Sequence, residues 1–187
     1  MNTNTFIQRK PFDFHDPWAH DFSIKEIAHL LANLSFFSGR TREFYSVAQH
    51  CVLASYEVFP EYALQALMHG SAKAYLGVLP RSLQLLLPDY IGFEQEVEKA
   101  IFTRFGLSAE LAPQVLRINR ALRATEHRDL FEKHEELSEN LLGARPLKKK
   151  ISSWFPSEAN RYFLCRFKEL YKPGRSDIED FATVSKY

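Results

Sequence analysis

The sequence predicts an all-α fold in a single helical domain, and three observations support this prediction. Apolar residues recur at helical spacing in several segments, and glycine or proline residues separate these segments. No stretch alternates apolar and polar residues over the length of a strand. The chain of 187 residues is also long enough for one domain with its own core.

Three helices are predicted in the N-terminal half, over residues 24–37, 41–59 and 61–70. Ser23 precedes the first helix as an N-cap, with Glu26 as its capping-box partner, and Ser38-Gly39 ends this helix. Thr41 is predicted to open the second helix, and Pro60 is predicted to end it.

Three further helices are predicted over residues 90–105, 108–130 and 158–171. The first of these is amphipathic and is closed by Gly106 as a C-cap. Ser108 is predicted to begin the second, which is interrupted near Pro113 and then continues. The predicted helical domain therefore covers residues 23–172.

The two ends of the chain differ in composition from this domain. Residues 1–22 mix prolines with Phe12, Phe14 and Trp18, and we predict an irregular arm that packs its aromatic side chains on the helices. Residues 173–187 are polar and are predicted to form a loosely held tail.

The composition argues against several classes of function. A formal net charge of +1 gives no general attraction to nucleic acid or to an acidic membrane surface. No apolar run approaches the roughly 18–20 residues of a membrane span, and residues 1–10 lack the apolar core of a signal peptide. Cys51 and Cys165 lie in apolar stretches, which predicts two buried free thiols in a reducing compartment. We therefore expect a cytoplasmic protein.

Two histidines are the main candidates for a functional site. His50 ends the segment SGRTREFYSVAQH (residues 38–50), and His69 lies in ALMHGSAKAYLGVLP (residues 66–80). A third segment, residues 119–130, contains Ala-Thr-Glu and Arg-Asp-Leu. In order and spacing, these segments resemble the HD-domain phosphohydrolases, in particular the bacterial and phage branch that acts on deoxynucleotides.

The resemblance implies a metal-dependent active site. In that family a divalent metal is held by a His on one helix, by a His-Asp pair on the next and by an Asp on a later helix. A Glu three residues after the pair and a further Asp assist proton transfer. Such ligands suit Mn, Co, Mg or Fe, and the metal activates water and polarises the phosphoryl group.

This chain departs from that pattern at the acidic positions. Both histidines are present, but the acids are replaced, in chain order, by Gly70, Lys73, Val78 and Asn119. Two imidazoles and an amide carry no negative charge to offset a divalent cation, and the positive charge of Lys73 would repel that cation. We therefore predict a degenerate site with no resident metal, for which Mn, Co or Mg would otherwise be the candidates. Hydrolysis by the family's route is not expected.

Three functions stay open at this point. The first is a nucleotide-binding, regulatory pseudoenzyme in which basic side chains hold the phosphate of a (deoxy)nucleotide. The candidate side chains are Arg40, Arg42, Lys73 and Arg81. The second is an active phosphohydrolase with a rearranged metal centre, in which Glu126 replaces a lost ligand.

The third function is a protein-interaction scaffold or inhibitor with an empty pocket, acting as a homo-oligomer or with another protein. Tyr162 and Tyr171 are candidate exposed aromatic residues, and residues 145–150 form a small basic patch. The apolar run at residues 83–87 is expected in the core, with an interface as the alternative.

Overall fold

A computed structural model describes residues 12–132 and 143–172, and within these ranges the chain is helical and forms no sheet. This confirms the predicted all-α fold. None of the described helices is long and apolar enough to cross a membrane. The helices are α1 (Ile24–Asn33), α2 (Val47–Glu57), α3 (Ala63–Met68), α4 (Lys73–Leu76), α5 (Arg81–Gln84), α6 (Pro88–Arg104), α7 (Pro113–Leu130) and α8 (Pro156–Leu170), with 3-10 turns at Pro17–Ala19 and Pro60–Tyr62.

Helix α2 lies at the centre of the molecule, because α1, α3, α7 and α8 all pack against it. Most of its side chains are buried, including the polar side chains of Gln49 and His50. Gln49 is satisfied by the loop before α8, since its amide donates to the Ser152 carbonyl and accepts from the Trp154 amide. Polar side chains that are buried on a helix need hydrogen-bond partners of this kind, because an unsatisfied buried donor or acceptor is destabilising.

The predicted start of α2 at Thr41 is wrong, because the helix begins at Val47. The Ser46 hydroxyl caps the helix by accepting a hydrogen bond from the Gln49 amide at 3.1 Å. The preceding chain folds back on itself, and the Phe36 amide donates to the Tyr45 carbonyl at 2.9 Å. Gly39, with φ of 79°, lies in the turn between them. Helix α1 consequently ends at Asn33, before the predicted stop at residues 38–39.

Proline determines where three helices begin. Pro88, Pro113 and Pro156 each occupy the first turn, where a missing amide hydrogen costs nothing. The prediction that Ser108 opens a helix is therefore wrong, since Ala112 before the proline is extended, with ψ of 140°. Gly106 follows the end of α6 with φ of 67°, as expected of a C-cap.

The capping box predicted at the start of α1 does not form. Ser23 is the N-cap residue, but its side chain makes no capping hydrogen bond. Glu26 instead accepts a hydrogen bond from the Tyr75 hydroxyl at 3.2 Å. The third predicted helix is also shorter than expected, and its regular part ends at Met68.

The ends of the chain are described only in part. Residues 1–11 and 173–187, which hold most of the predicted arm and the whole predicted tail, lie outside the described residues. Within the arm, the Phe12 ring packs on Tyr75 at 4.7 Å between centroids. Phe14 and Trp18, which were expected to pack inward, are about half exposed.

The two cysteines, and the two tyrosines of α8 and its C-terminal end, differ in their exposure. Cys51 is buried as predicted, but Cys165 is exposed because it lies on the outer face of α8, and both are free thiols. Tyr162 is partly exposed and packs against Trp154, whereas Tyr171 is half-buried and stacks on Phe167.

The apolar run at residues 83–87 does not lie in the core, which contradicts the prediction. Leu85 and Leu86 are 63% and 76% exposed. The buried side chain of the α5 turn is instead Gln84, which donates to the Leu79 carbonyl at 3.3 Å. Polar contacts therefore fix the inner side of this turn and leave the leucines on the surface.

Candidate functional site

Three structural elements bring the site residues together. His50 lies on α2, and His69 lies one residue past the end of α3. Helix α7 contributes Asn119, Arg123 and Glu126, whose spacings of four and three residues place them on one helical face. This face is turned toward His50, because Glu126 contacts the imidazole directly.

A chain of close polar contacts runs through the core. The Tyr45 hydroxyl donates to Glu126 Oε1 at 2.6 Å, and the same oxygen lies 2.6 Å from His50 Nδ1. His50 Nε2 lies 3.2 Å from His69 Nε2, and His69 Nδ1 lies 2.6 Å from the Ala66 carbonyl oxygen. The contacts therefore link Tyr45 to the end of α3 without interruption.

Burial determines the protonation of this chain. It lowers the pKa of His69 to about 3, and the pKa of His50 is held well below its ordinary value by burial and by the charges of Arg123 and Lys73. Burial also raises the pKa of Glu126 well above its ordinary value, which outweighs the opposing effects of Tyr45 and Arg123. Both imidazoles are therefore uncharged at neutral pH, and burial favours the protonated form of the Glu126 carboxyl.

These protonation states set the direction of every hydrogen bond in the chain. A carbonyl oxygen only accepts, so His69 Nδ1 carries a hydrogen and its Nε2 is an acceptor. His50 then donates from Nε2 to His69. The Nδ1 of a neutral His50 is consequently an acceptor, and the Glu126 carboxyl donates to it. The two Nε2 atoms are therefore joined by one hydrogen bond, in which His50 is the donor and His69 is the acceptor.

The residues present do not fit the divalent metal that the family resemblance implies. The two Nε2 atoms offer one lone pair between them, and it is used by the hydrogen bond. The Glu126 carboxyl lies on the Nδ1 side of His50, so it is not placed to share a cation with the Nε2 atoms. Among the described residues, no group of three or more His, Cys, Asp or Glu side chains is arranged to hold a metal.

Gly70, which the predicted resemblance places at the position of a metal-binding Asp, is enclosed by α2. A Cβ atom at this position would lie 2.9 Å from Cys51 Sγ and 3.2 Å from Val47 Cγ1. The Cys51 thiol is buried, which raises its pKa to about 12 and keeps it uncharged. The space that a metal-binding side chain would need at residue 70 is therefore occupied by Cys51.

Two cations lie close to the histidine pair. Arg123 and Lys73 both lower the pKa of His50 and of His69, so their charges act at the same place. The Arg123 guanidinium lies 6.0 Å from the centroid of Phe36, which in turn stacks on His50 with centroids 4.1 Å apart. Phe36 therefore covers His50 and supports the guanidinium.

Lys73 is bound to an acid on a neighbouring helix. Its ammonium donates to Glu94 Oε1 at 2.6 Å, and both side chains are about one-fifth exposed. Glu98, one turn further along α6, has its pKa raised to about 7 by burial, against the opposing charge of Lys73. Lys73 is thus the partly buried cation of a small ionic cluster that includes Glu94 and the partly protonated Glu98.

The other residues predicted for the site lie apart from it or at its edge. Arg40 and Arg42 are exposed, and Arg42 donates to the Asp129 carbonyl at the end of α7. Arg81 is exposed and donates to Gln84, although its charge reaches Arg123 and lowers that residue's pKa. Val78 is half-buried against the core.

Several residues of the site were not predicted from the sequence. Arg123 has a recognisable signal, since it lies four residues after Asn119 and three before Glu126 on one helix. Tyr45 and Glu94 have no such signal, because they reach the site from segments 81 and 21 residues away from their partners.

Among known proteins, the chain is similar to the uncharacterized protein YfdR of Escherichia coli K12, with 41% identity over 110 residues. That match covers 59% of this chain and 62% of YfdR, which is less than two thirds of the relative's length. An uncharacterized protein of Rhodobacter capsulatus is 28% identical over 169 residues, covering 84% of this chain and 76% of the relative. No protein-family model matches the chain.

Proposed function

We propose that this protein is a phosphohydrolase-like pseudoenzyme of the HD-domain type, which binds the phosphate of a small ligand without a metal and without hydrolysing it. The (deoxy)nucleotides are the ligand class that the family resemblance favours. The observation that carries the proposal is Arg123, a cation beside the histidine pair whose buried Nε has no hydrogen-bond partner among the described residues.

The chemistry around Arg123 suits an anion. Guanidinium stays charged when partly buried, and it binds phosphate oxygens through two parallel hydrogen bonds. Asn119, one turn earlier on the same helix, lies within hydrogen-bonding reach of the His50 imidazole, although its buried Oδ1 makes no hydrogen bond of good geometry in the described chain. Lys73 adds a second positive charge. The Glu126 carboxyl, whose protonated form is favoured by burial, is turned toward Tyr45 and His50. An arriving phosphate would therefore meet two cations, and it would compete for Lys73 with the Glu94 carboxylate and the partly protonated Glu98.

The same features argue against phosphoester hydrolysis. The family's reaction needs metal-activated water and a carboxylate that takes up a proton. Here the histidine lone pair is used within the protein, and the position of the catalytic Glu is Lys73. Regulation through ligand occupancy is the function that fits a site able to bind and unable to cleave. A cytoplasmic site of action stays the expectation from the two free thiols.

Replacing Arg123 with Gln is expected to weaken binding of deoxynucleoside monophosphates about ten-fold or more. The reason is the loss of a charge-assisted hydrogen bond, which is worth about 1.5–3 kcal/mol. Binding is measured by isothermal titration calorimetry in EDTA, with inorganic phosphate as a second probe. Arg120→Gln is the matched control, since Arg120 is exposed on the same helix, and its affinity should equal that of the wild type.

The titration also decides between the alternatives. A wild-type protein that binds none of the monophosphates, or that binds them only when Mn, Co or Mg is added, contradicts the proposal. Release of phosphate from any of them would establish an active enzyme with a rearranged centre.

Replacing Glu94 with Gln is expected to tighten binding of the same monophosphates about five-fold. In the free protein Glu94 holds the Lys73 ammonium, so a phosphate has to compete with a carboxylate for this cation. Removing a half-buried ion pair of this kind changes the competition by about 1 kcal/mol. Glu96→Gln is the control, because Glu96 pairs with Lys99 on the exposed side of the same helix. Unchanged or weaker binding in Glu94→Gln would show that Lys73 takes no part in binding.

A further inference from the structure

Aromatic rings and cations alternate along one edge of the molecule, where α2 and α8 pack together. Trp154 packs on Tyr162 with ring centroids 4.7 Å apart, and the Arg161 guanidinium lies 4.8 Å from the centroid of the Tyr162 ring. One turn further along α8, the Arg166 guanidinium lies 4.0 Å from the centroid of Tyr56 on α2. We call these five residues the aromatic edge.

Hydrogen bonds to α2 hold the aromatic edge in this arrangement. The Trp154 amide donates to the Gln49 side chain at 2.9 Å, which fixes the chain just before α8 against α2. Arg166 donates to the hydroxyl and to the carbonyl of Ser55, both at 3.1 Å, so its guanidinium is held beside Tyr56. Rings that are already held in place lose little freedom when a ligand stacks on them.

The rings of the aromatic edge remain accessible to a ligand. Tyr56 is 54% exposed and Tyr162 is 36% exposed, although each ring already has a guanidinium against it. Phe155, which follows Trp154, is 74% exposed. The exposed area of these rings is therefore free to stack with a flat group, and the neighbouring guanidinium groups add positive charge.

A basic segment, residues 145–150, lies beside the aromatic edge. Lys149 pairs with Glu57, the residue after Tyr56, so the segment passes the same end of α2. Arg128 donates to two carbonyl groups of the segment at 2.8 and 2.7 Å and holds its backbone in place. Its other cations are exposed to solvent: Arg145, Lys148 and Lys150.

We propose that the aromatic edge and the basic segment together bind single-stranded nucleic acid, with bases stacked on the rings and phosphates held by the cations. Stacking rings beside a positively charged path are the combination that binds single strands without regard to sequence. The net charge of the whole chain is only +1, but it conceals a local concentration, since four of the six residues in the basic segment are cations.

Single strands fit this surface better than other anions do. An acidic peptide could pair with the cations but has no flat groups to stack on the rings. A duplex carries phosphates, but its base faces are stacked on each other. The proposal does not rest on the phosphate site, because the aromatic edge and the basic segment contain neither Arg123 nor Lys73.

Fluorescence anisotropy with a labelled oligothymidylate about 15 nucleotides long, without terminal phosphates, tests the surface. The wild type is expected to bind it. Tyr162→Ala is expected to raise the dissociation constant at least about ten-fold, the usual effect of losing one stacked base. Tyr162→Phe keeps the ring and should bind like the wild type. Phe93→Ala is the control, because Phe93 is 44% exposed on α6, and it should leave binding unchanged.

A salt series tests the basic segment separately. Lys148→Gln is expected to lower the slope of log affinity against log salt concentration by about 0.7, the value for one phosphate contact on a single strand. Lys99→Gln removes one exposed positive charge from α6 and should leave the slope unchanged. Equal slopes in the wild type and Lys148→Gln would show that this lysine holds no phosphate and would contradict the proposed path.

The remaining outcomes are equally clear. A wild type that does not bind the oligonucleotide overturns the proposal, and so does equal or tighter binding of the matching duplex or of polyglutamate. Binding by Tyr162→Phe that is as weak as that of Tyr162→Ala would exclude stacking as the cause. Circular dichroism and thermal unfolding establish that each variant is folded. Arg123→Gln should bind the oligonucleotide like the wild type, and loss of binding in this variant would place the strand at the phosphate site instead.

Discussion

Replacing Gly70 with Ala is expected to lower the free energy of unfolding by about 1–3 kcal/mol, the usual cost of overpacking a core. The new Cβ would lie 2.9 Å from Cys51 Sγ and 3.2 Å from Val47 Cγ1, and both partners are buried on the central helix α2. Neither short side chain can move away without disturbing its neighbours. Urea denaturation monitored by circular dichroism measures the loss.

The comparison that identifies the cause is made in a Cys51→Ala background. Removing the sulfur eliminates the closest contact, so Gly70→Ala should cost less in that background than in the wild type. Gly92→Ala is the matched control, because Gly92 is exposed within α6 and a Cβ there meets nothing within 4 Å. That change should stabilise the protein by about 0.5–1 kcal/mol, as alanine does in an exposed helix. Equal costs of Gly70→Ala in both backgrounds would show that Cys51 does not close the site.

The same contact bears on whether the site could regain a metal. Asp at residue 70 would bring the same close Cβ and a buried carboxylate in addition, so the single change Gly70→Asp should destabilise the protein more than Gly70→Ala. Restoring the family's ligand therefore requires a second change at Cys51. An acid at residue 70 and the Cys51 side chain therefore exclude each other, which agrees with the metal-free site that we propose.

The fold was largely predictable because helical periodicity is a local property of the sequence. The helix over residues 90–105 and its glycine cap were found from spacing alone, and they agree with α6 and Gly106 to within two residues. The start of α2 was missed for a physical reason. Thr41 is a plausible cap by itself, but the pairing of Phe36 with Tyr45 keeps this stretch extended until Ser46 caps the helix.

The chemistry of the site was predictable only in part. The two histidines and the predicted absence of the acids came from comparing residue types with the resembled family, and this comparison needed no geometry. The direction of the hydrogen bond between His50 and His69 depends on the Ala66 carbonyl. The ion pair of Lys73 depends on Glu94. Both interactions can be seen only in the tertiary structure. Long-range pairs of this kind leave no periodic signal. The exposed leucines were missed because a buried glutamine takes the inner position of α5.

Replacing Glu126 with Ala is expected to cost about 2–6 kcal/mol of stability, because each of the two buried polar groups that it leaves unsatisfied costs about 1–3 kcal/mol. The Tyr45 hydroxyl and His50 Nδ1 both depend on Glu126 Oε1, and all three groups are buried. Truncation leaves a donor and an acceptor unsatisfied and opens a cavity beside them. Thermal and urea unfolding measure the loss, and Glu132→Ala, at an exposed position just past α7, is the control.

The hydrogen-bond chain itself can be observed by nitrogen-15 NMR of the histidine side chains at neutral pH. His50 should be the Nε2–H tautomer and His69 the Nδ1–H tautomer, because the Ala66 carbonyl can only accept and the two Nε2 atoms share one hydrogen. In Glu126→Ala, His50 loses the group that donates to its Nδ1, so its tautomer is no longer fixed from that side. Two identical tautomers in the wild type would contradict the chain. Addition of Mn, Co or Mg should leave the wild-type spectrum unchanged, since a metal can bind the pair only by displacing the hydrogen that joins the two rings.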